Sequence, residues 1–372
     1  ISRHLNYLVA GRPYNRLKEV EQGVLSSIPG IGKTMVESAR KLETLARTMM
    51  VPGSLFDELG VKYVGPVNGH NIKEMMREME EAKKSDIPVL LHVVTQKGSG
   101  YAPAQENPSD FHSSSPFEIE DGKFIKSEQG PSYSKVFGQT LVRLAEVEED
   151  VVGITAAMPG GTGLDLMQKR FPDRFYDVGI AEGYMLDFAG GLALGGMKPV
   201  MSIYATFLQR AVDQVMHDFS LMSIPALVGV DRAGLVGGDG PTHQGIFDLA
   251  LLRPVPGIVV MVPRDENELQ HMMFSGLQMK QPVFIRFPKE GGQGVPMDER
   301  FLPLPPGRCE VMREGLDGLV LALGPLVHRA LRIAETMAEE ERVQLTVVNL
   351  RFFKPLDEET LKPLLAHHRR IV

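Results

Sequence analysis

The chain has 372 residues, 43% of them apolar and 23% charged, with a formal net charge of −7. That is enough apolar material for two or three domains with cores of their own. No run is long and apolar enough to span a bilayer, and the mildly acidic balance without a Lys/Arg block argues against nucleic acid or an anionic membrane as partner. A lone cysteine, Cys309, excludes an intrachain disulfide framework and fits a reducing compartment. The chain starts on Ile-Ser and stops on "HHRRIV", and so reads as a piece of a longer protein in which any targeting segment is invisible.

In chain order, a charged helical pattern covers Thr34 to Met50, and the turn-rich "GPVNGH" occupies 65–70. A helix is predicted from Ile72 to Lys84, and "PVLLHVVTQKGSGY" (88–101) is strand-like. Residues 102–131 are rich in Pro, Ser and charge, the composition of a linker or surface-wrapping segment. A regular alternation follows. A helix over Tyr133–Val147 precedes strands at 151–155, 199–204, 225–231, 257–263 and 282–288, separated by helical patterns near 183–195, 207–221 and 265–278. Short apolar strands alternating with helices predict a parallel sheet covered on both faces. A second linker spans 291–307, after which strands at 318–324 and 344–350 and helices near 326–340 and 357–367 begin another α/β unit.

The chemistry concentrates in the middle unit. Ligands of such sheets sit at the C-terminal ends of the strands, where Glu182, Tyr204, Arg232 and Arg286 all fall. Glu182 stands where an apolar run gives way to small residues, surroundings in which an ionised carboxylate is costly unless paired. At a helix start the macrodipole alone would favour it. "VDRAGLVGGDGPTHQGIFD" (230–248) is a long Gly-rich loop carrying Arg232, Asp239 and His243. Its backbone N–H groups can approach a ligand closely, and Arg232 with Arg286 can grip a phosphate; alternatively, each Arg pairs with a neighbouring acid such as Asp231. Phe207 and Arg210, on the first turns of the helix after Tyr204, read alone as core and solvated surface.

Taken together, "GPSYSKVFGQTL", "FPDRFYDVGIAE", "IYATFLQRAVDQVMHD", "DRAGLVGGDGPTHQGIFDL" and "FFKPLDEE", with the upstream "MMVPGSLFDELGVKYVGPVNGH" and "TQKGSGYAPAQ", resemble the 1-deoxy-D-xylulose-5-phosphate synthases. These are transketolase-like enzymes dependent on thiamine diphosphate. The ordered motifs run along nearly the whole chain, which makes the resemblance specific. It implies an α/β fold of the transketolase-like, thiamine diphosphate-binding type with three domains: the C-terminal part of a diphosphate-binding domain (1–101), a pyrimidine-binding domain (132–290), and the start of a transketolase C-terminal domain (308–372). It implies a transferase that joins pyruvate to D-glyceraldehyde 3-phosphate with loss of CO₂, at the head of the non-mevalonate isoprenoid route. It further implies a homodimer in a bacterial cytoplasm or a plastid.

By the same resemblance Glu182 hydrogen-bonds the aminopyrimidine of the cofactor and favours its imino tautomer, so that the cofactor supplies the electron sink and the protein the proton partner. Phe207 stacks on that ring, Arg210 shares its pocket and Lys97 contacts the diphosphate. Tyr204, Arg232 and Arg286 hold the substrate phosphate, Asp239 contacts the acceptor's hydroxyls, and His243 and His112 complete the catalytic set. Three departures stand out. Gly183 and Tyr184 replace the family's Gln-His after the Glu, and Gly there lowers helix propensity by roughly 1 kcal/mol relative to Ala. Asn68 replaces an Asp. Gly238-Asp239-Gly240 with Asn267 mimics the family's Mg²⁺ motif, but Asp239 lies well past its strand and Asn267 reads as a helix cap. The metal and diphosphate motif is therefore expected upstream of Ile1, and no replacement set of oxygen ligands is evident. Another transketolase-like thiamine enzyme, or a non-catalytic homologue, are the alternative readings.

Overall fold

The structure, a computed structural model, describes residues 54–112, 114–125, 130–289 and 291–372. The helix expected at 34–50 lies outside them. The chain divides into two compact units, the boundary falling after residue 125.

In the first unit, α1 (Ser54–Glu58) leads into a parallel pair, β1 (Lys62–Asn68) and β2 (Val89–Val94), joined through α2 (Ile72–Ala82). Asn71 caps α2 by accepting from the Glu74 N–H at 3.2 Å. The strand expected over 88–101 stops at Val94, and the segment 96–101 turns instead, closed by the Tyr101 N–H on the Gly98 carbonyl. The expected linker is also more ordered than its composition suggested. It holds a short helix, α3 (Ala102–Glu106), and an aromatic cluster in which Phe111 packs edge-on against Tyr101 and Phe117. Those rings supply burial that a count of Pro and Ser overlooks.

The second unit opens with α4 (Tyr133–Val147), capped by Ser132, and continues through β3 (Val151–Thr155), α5 (Asp165–Arg170), β4 (Phe175–Asp177), α6 (Glu182–Leu194) and β5 (Lys198–Tyr204). The segment after β5 was expected to form one helix over 207–221. It begins earlier and is broken: α7 (Ala205–Leu208), a 3-10 turn at Gln209–Ala211, α8 (Val212–Gln214) and a π-helical stretch at Val215–Ser220. Ala211 leaves helical geometry (φ −123°, ψ 12°), and the break lets Leu208, Ala211, Val215 and Phe219 all stay buried. Then come β6 (Leu227–Asp231), α9 (Asp248–Leu252), β7 (Val259–Met261), α10 (Glu266–Leu277), β8 (Val283–Arg286), β9 (Glu310–Arg313), β10 (Gly318–Ala322), α11 (Leu326–Glu340), β11 (Leu345–Asn349), β12 (Phe352–Lys354) and α12 (Glu358–His367).

The main sheet has the order β12-β7-β8-β6-β5-β3-β4. Six strands run parallel, and β12 joins the edge antiparallel to β7. The parallel sheet expected from the alternation is present, and one edge strand is added to it: buried Phe352 draws the chain from the third α/β section back onto the middle sheet. A second sheet, β10-β11-β9, carries that section. Alternate strand residues feed two cores. Ile154, Ile203, Val228 and Val230 pack with Met185 and Leu186 of α6, while Val200, Leu227, Val259 and Ile285 pack with Phe137 of α4 and Met272 of α10. Among the described residues, no helix is long and apolar enough to cross a membrane.

Candidate active site

Register places the chemistry. Tyr204 ends β5 opposite Asp231 at the end of β6, and Val230 pairs with Arg286 at the end of β8. Three neighbouring strands therefore deliver Tyr204, Asp231 with Arg232, and Arg286 to one sheet edge, the C-terminal edge at which ligands bind in such folds.

Glu182 opens α6 and is only 5% exposed. Ala181, the residue at the cap position, offers no side-chain cap, so a carboxylate in this first turn also meets the positive end of the helix. Arg210 Nη1 donates to Glu182 Oε1 at 2.6 Å, and the same guanidinium lies 5.0 Å above the Phe207 ring. Phe207 stacks on Tyr204 with centroids 5.4 Å apart, and His243 stands edge-on to both rings. The structure therefore brings Glu182, Arg210, Phe207, Tyr204 and His243 into one continuous chain of contacts. Gly183 packs against Gln214, whose amide nitrogen would lie 3.3 Å from a Cβ there. Tyr184 turns outward and stacks on Phe188.

The Gly-rich loop is a built object. Arg232 takes a left-handed conformation (φ 56°), and the loop folds back on itself through reciprocal backbone bonds between Gly234 and Gly245. Position 245 must be glycine, since a Cβ there would sit 2.4 Å from the Arg232 carbonyl oxygen. Gln244 latches the loop: its Oε1 accepts from the Val236 N–H at 2.7 Å and its Nε2 donates to the carbonyls of Val236 and Gly240. The Arg232 guanidinium lies 4.0 Å over the Tyr204 ring. Gly161 is equally constrained, for a Cβ there would fall 1.9 Å from the Tyr204 hydroxyl. Burial pushes the Tyr204 phenol up to about 12 and keeps it a hydrogen-bond donor. Burial likewise pushes Asp231 up to about 7.

Each arginine has its own acid. Arg232 pairs with Asp239, and Arg286 Nε donates to Asp248 Oδ2 at 2.5 Å. Neither takes Asp231, whose Oδ1 instead accepts from the Arg232 N–H. Asp239 is held from both sides, Oδ2 by Arg232 and Oδ1 by Lys289. Burial opposes its charge, but the two cations outweigh burial and hold the carboxyl below its usual range. Asn267 is not the helix cap it resembled: Asp265 caps α10, and Asn267 donates to Asp298 at 2.9 Å. Among the described residues, no group of three His, Cys, Asp or Glu is placed to hold a metal ion. Lys97 and His112 are exposed residues of the first unit. Asn68, in the same unit, accepts from the His70 N–H at 3.1 Å, an acceptor role that an amide fills as well as a carboxylate.

Sequence reasoning overlooked Asp248, Gln244 and Lys289. Lys289 was visible as a second cation just past a strand end in "RFPKE". Asp248 and Gln244 had no such signal, because their roles depend on how the loop folds back.

Three family profiles match successive parts of the chain: 1-deoxy-D-xylulose-5-phosphate synthase over residues 1–95, the transketolase pyrimidine-binding domain over 129–293, and the transketolase C-terminal domain over 307–372. The 1-deoxy-D-xylulose-5-phosphate synthase of Desulfitobacterium hafniense strain Y51 is 46% identical over the whole chain, and that of Natranaerobius thermophilus 45%. The chain spans 59% of the length of each of these curated relatives. Among solved structures, a split-gene transketolase, described as an inactive β4 tetramer, matches with 30% identity and a TM-score of 0.58 over 65% of this chain and 78% of that one. The transketolase of Leishmania mexicana shares the fold at 17% identity, with a TM-score of 0.54 over 64% of this chain and 37% of its own. Fold, ordered motifs and relatives agree: the chain belongs to the transketolase family, and its first profile and its curated relatives are those of 1-deoxy-D-xylulose-5-phosphate synthases.

Proposed function

We propose that the protein is a thiamine diphosphate-dependent 1-deoxy-D-xylulose-5-phosphate synthase, condensing pyruvate with D-glyceraldehyde 3-phosphate and releasing CO₂. The observation that carries the proposal is the buried Glu182, held by Arg210 and joined through Phe207 and Tyr204 to the cations of the neighbouring strand ends. A buried carboxylate beside an aromatic wall fits the aminopyrimidine of the cofactor, and the cationic strand ends fit a phosphorylated acceptor. Thiamine diphosphate, when bound, supplies the nucleophilic carbon and the electron sink for decarboxylation.

The chain's own residues do the rest. Glu182 is the proton partner of the aminopyrimidine, Phe207 stacks on it, and Arg210 holds the Glu182 carboxylate in place. Tyr204, Arg232 and Arg286 orient the acceptor's phosphate, Asp239 accepts from its hydroxyls, and His243 moves a proton at the acceptor's carbonyl oxygen. His112 and Lys97 enter on the resemblance alone, the first as a further catalytic group and the second as a diphosphate contact. The described residues fit the pyrimidine half of the cofactor; Mg²⁺ belongs to the proposal through the family and has no ligand set among them. The family reading extends to a homodimer, and bacterial relatives favour a cytoplasmic site of action.

A donor screen on the full-length gene product tests the assignment, using thiamine diphosphate, Mg²⁺ and D-glyceraldehyde 3-phosphate with either pyruvate or a ketose phosphate. Deoxyxylulose 5-phosphate formed from pyruvate, identified by mass, is the expected result. Turnover of the ketose phosphate alone would make the protein a transketolase, and turnover of neither would remove the enzymatic reading.

A further inference from the structure

Glu182 opens α6 with no capping side chain at Ala181, so the segment before it must be fixed by other means. One carboxylate does this. Asp177 ends β4 opposite Thr155 of β3, and its Oδ1 accepts two backbone N–H groups, that of Ala157 at 2.8 Å and that of Gly179 at 3.0 Å. Both donors are left-handed, Ala157 at φ 59° and Gly179 at φ 73°. Glycine adopts that conformation at no steric cost, whereas alanine is strained in it. The Ala157 side chain is exposed, so packing does not impose the strain, and the bond to Asp177 holds the residue there.

Each donor leads to one wall of the candidate site. Ala157 begins the segment that carries Gly161 up against the Tyr204 hydroxyl. Gly179 begins the turn that the Ala181 N–H closes on the Gly179 carbonyl at 2.8 Å, immediately before Glu182. We propose that Asp177 is a positioning residue for Glu182: by holding Ala157 and Gly179 with one oxygen, it sets the start of α6, and with it the Glu182 carboxylate, against the segment that abuts Tyr204. The inference rests on the synthase reading above, in which Glu182 is the proton partner of the aminopyrimidine. A carboxylate with that task tolerates little displacement, because sharing a proton requires heavy atoms about 3 Å apart. Strained backbone of the kind seen at Ala157 persists only where its surroundings over-determine it, and Asp177 is the group that does so here. Asp177 acts through the backbone on both sides, so its loss shifts the position of Glu182 and leaves the Glu182 side chain itself intact.

The test uses Asp177→Ala, Asp177→Asn and the double variant Asp177→Ala with Ala157→Gly, all in the full-length gene product. Two quantities are read: amide exchange at Ala157 and Gly179 in the cofactor-free protein, and hydrogen–deuterium exchange at C2 of bound thiamine diphosphate. Asp177→Ala should speed exchange of the two amides at least about tenfold and slow C2 exchange about tenfold through misplacement of Glu182. Asp177→Asn keeps an acceptor oxygen and should stay within about threefold of wild type in both. Adding Ala157→Gly to Asp177→Ala should restore most of the C2 exchange, because glycine holds the left-handed conformation unaided. C2 exchange at the wild-type rate in Asp177→Ala would overturn the inference while leaving the synthase reading standing. Slowed exchange that neither Asp177→Asn nor Ala157→Gly restores would also overturn it, by marking a general loss of structure. A wild type that binds no thiamine diphosphate, with Ala157 and Gly179 amides that open only in Asp177→Ala, would leave the Asp177 link standing and sink the synthase reading.

Discussion

At the scale of single residues, the site is organised by where charge is compensated. Glu182 and Asp248 are both buried and each meets an arginine, whereas Asp231 is fully buried with its Oδ2 lacking a hydrogen-bond partner among the described residues. Burial raises Asp231 from 3.8 to about 7. A carboxyl whose folded value is raised contributes stability that is complete below about pH 4 and is lost as pH climbs toward 7. Thermal unfolding of wild type should therefore show stability falling across pH 4 to 7 from this group. Asp231→Asn, which keeps the acceptor for the Arg232 N–H, should flatten that dependence and melt higher than wild type at pH 8. Equal pH dependence in the two proteins would mean that Asp231 is solvated or paired in solution. The sequence could place Asp231 at a strand end but could not reveal that burial outweighs its contacts with Ser134 and Arg232, because that depends on the Arg232 guanidinium turning to Asp239.

At the scale of elements, the Gly-rich loop between β6 and α9 owes its shape to one side chain. Gln244 makes three hydrogen bonds inside the loop, two to backbone groups of Val236 and one to Gly240. Gln244→Ala should cost roughly 2 kcal/mol of stability if the freed backbone groups find only water. It should also raise amide exchange at Val236 and Gly245 far more than in the strands of the main sheet. Uniform exchange across loop and sheet would show that the glycines alone set the conformation. The elements themselves were largely legible. The helix at Tyr133–Val147 and the strand at 151–155 coincide with their predicted bounds, because an N-cap serine and a continuous apolar run mark them unambiguously. The broken helix at 205–220 was not legible: its apolar spacing matches a regular helix, and only the demand to bury four side chains at once reveals the 3-10 and π turns. Strand β12 was equally hidden, since three residues of "FFK" carry no periodicity and find their partner β7 some 90 residues earlier in the chain, beyond the range of local pattern.

At the scale of the whole second unit, the middle sheet and the third α/β section are tied by a polar network as well as by β12. Glu268 of α10 receives Arg351 Nε at 2.7 Å and Asn349 Nδ2 at 2.9 Å, while Arg351 also reaches Glu310 of β9 at 2.6 Å. Asp265 caps the same helix and pairs with Arg264 at 3.0 Å. Burial opposes its charge, but His328, the Glu268 N–H and Arg264 prevail and hold it down to about 2. Its folded value lies below 3.8, so its contribution is present above about pH 4 and is lost as pH falls toward 2. Asp265→Asn keeps an N-cap acceptor and removes the charge. It should lower stability at pH 7 by on the order of 2 kcal/mol and remove this group's share of the acid sensitivity between pH 4 and 2, leaving that of Asp357, which is also held down to about 2. Wild-type-like stability at pH 7 would show that the network orients the two sections without stabilising them. None of these long-range pairs was readable in advance. The candidate site was legible where each residue sits at a strand end or a helix start, as Tyr204, Arg232, Arg286 and Glu182 do. It was not legible where partners such as Asp248 and Lys289 are chosen by the closed fold.

A Glu182 that serves a thiamine cofactor controls hydrogen–deuterium exchange at the cofactor's C2 position. That exchange would be followed by NMR in the full-length gene product loaded with thiamine diphosphate and Mg²⁺, for wild type and Glu182→Gln, with cofactor binding checked in both. The expected result is exchange slowed at least about 100-fold in Glu182→Gln while the cofactor remains bound. Exchange equally fast in both proteins would contradict it, leaving the Glu182–Arg210 pair as a structural feature of the helix start.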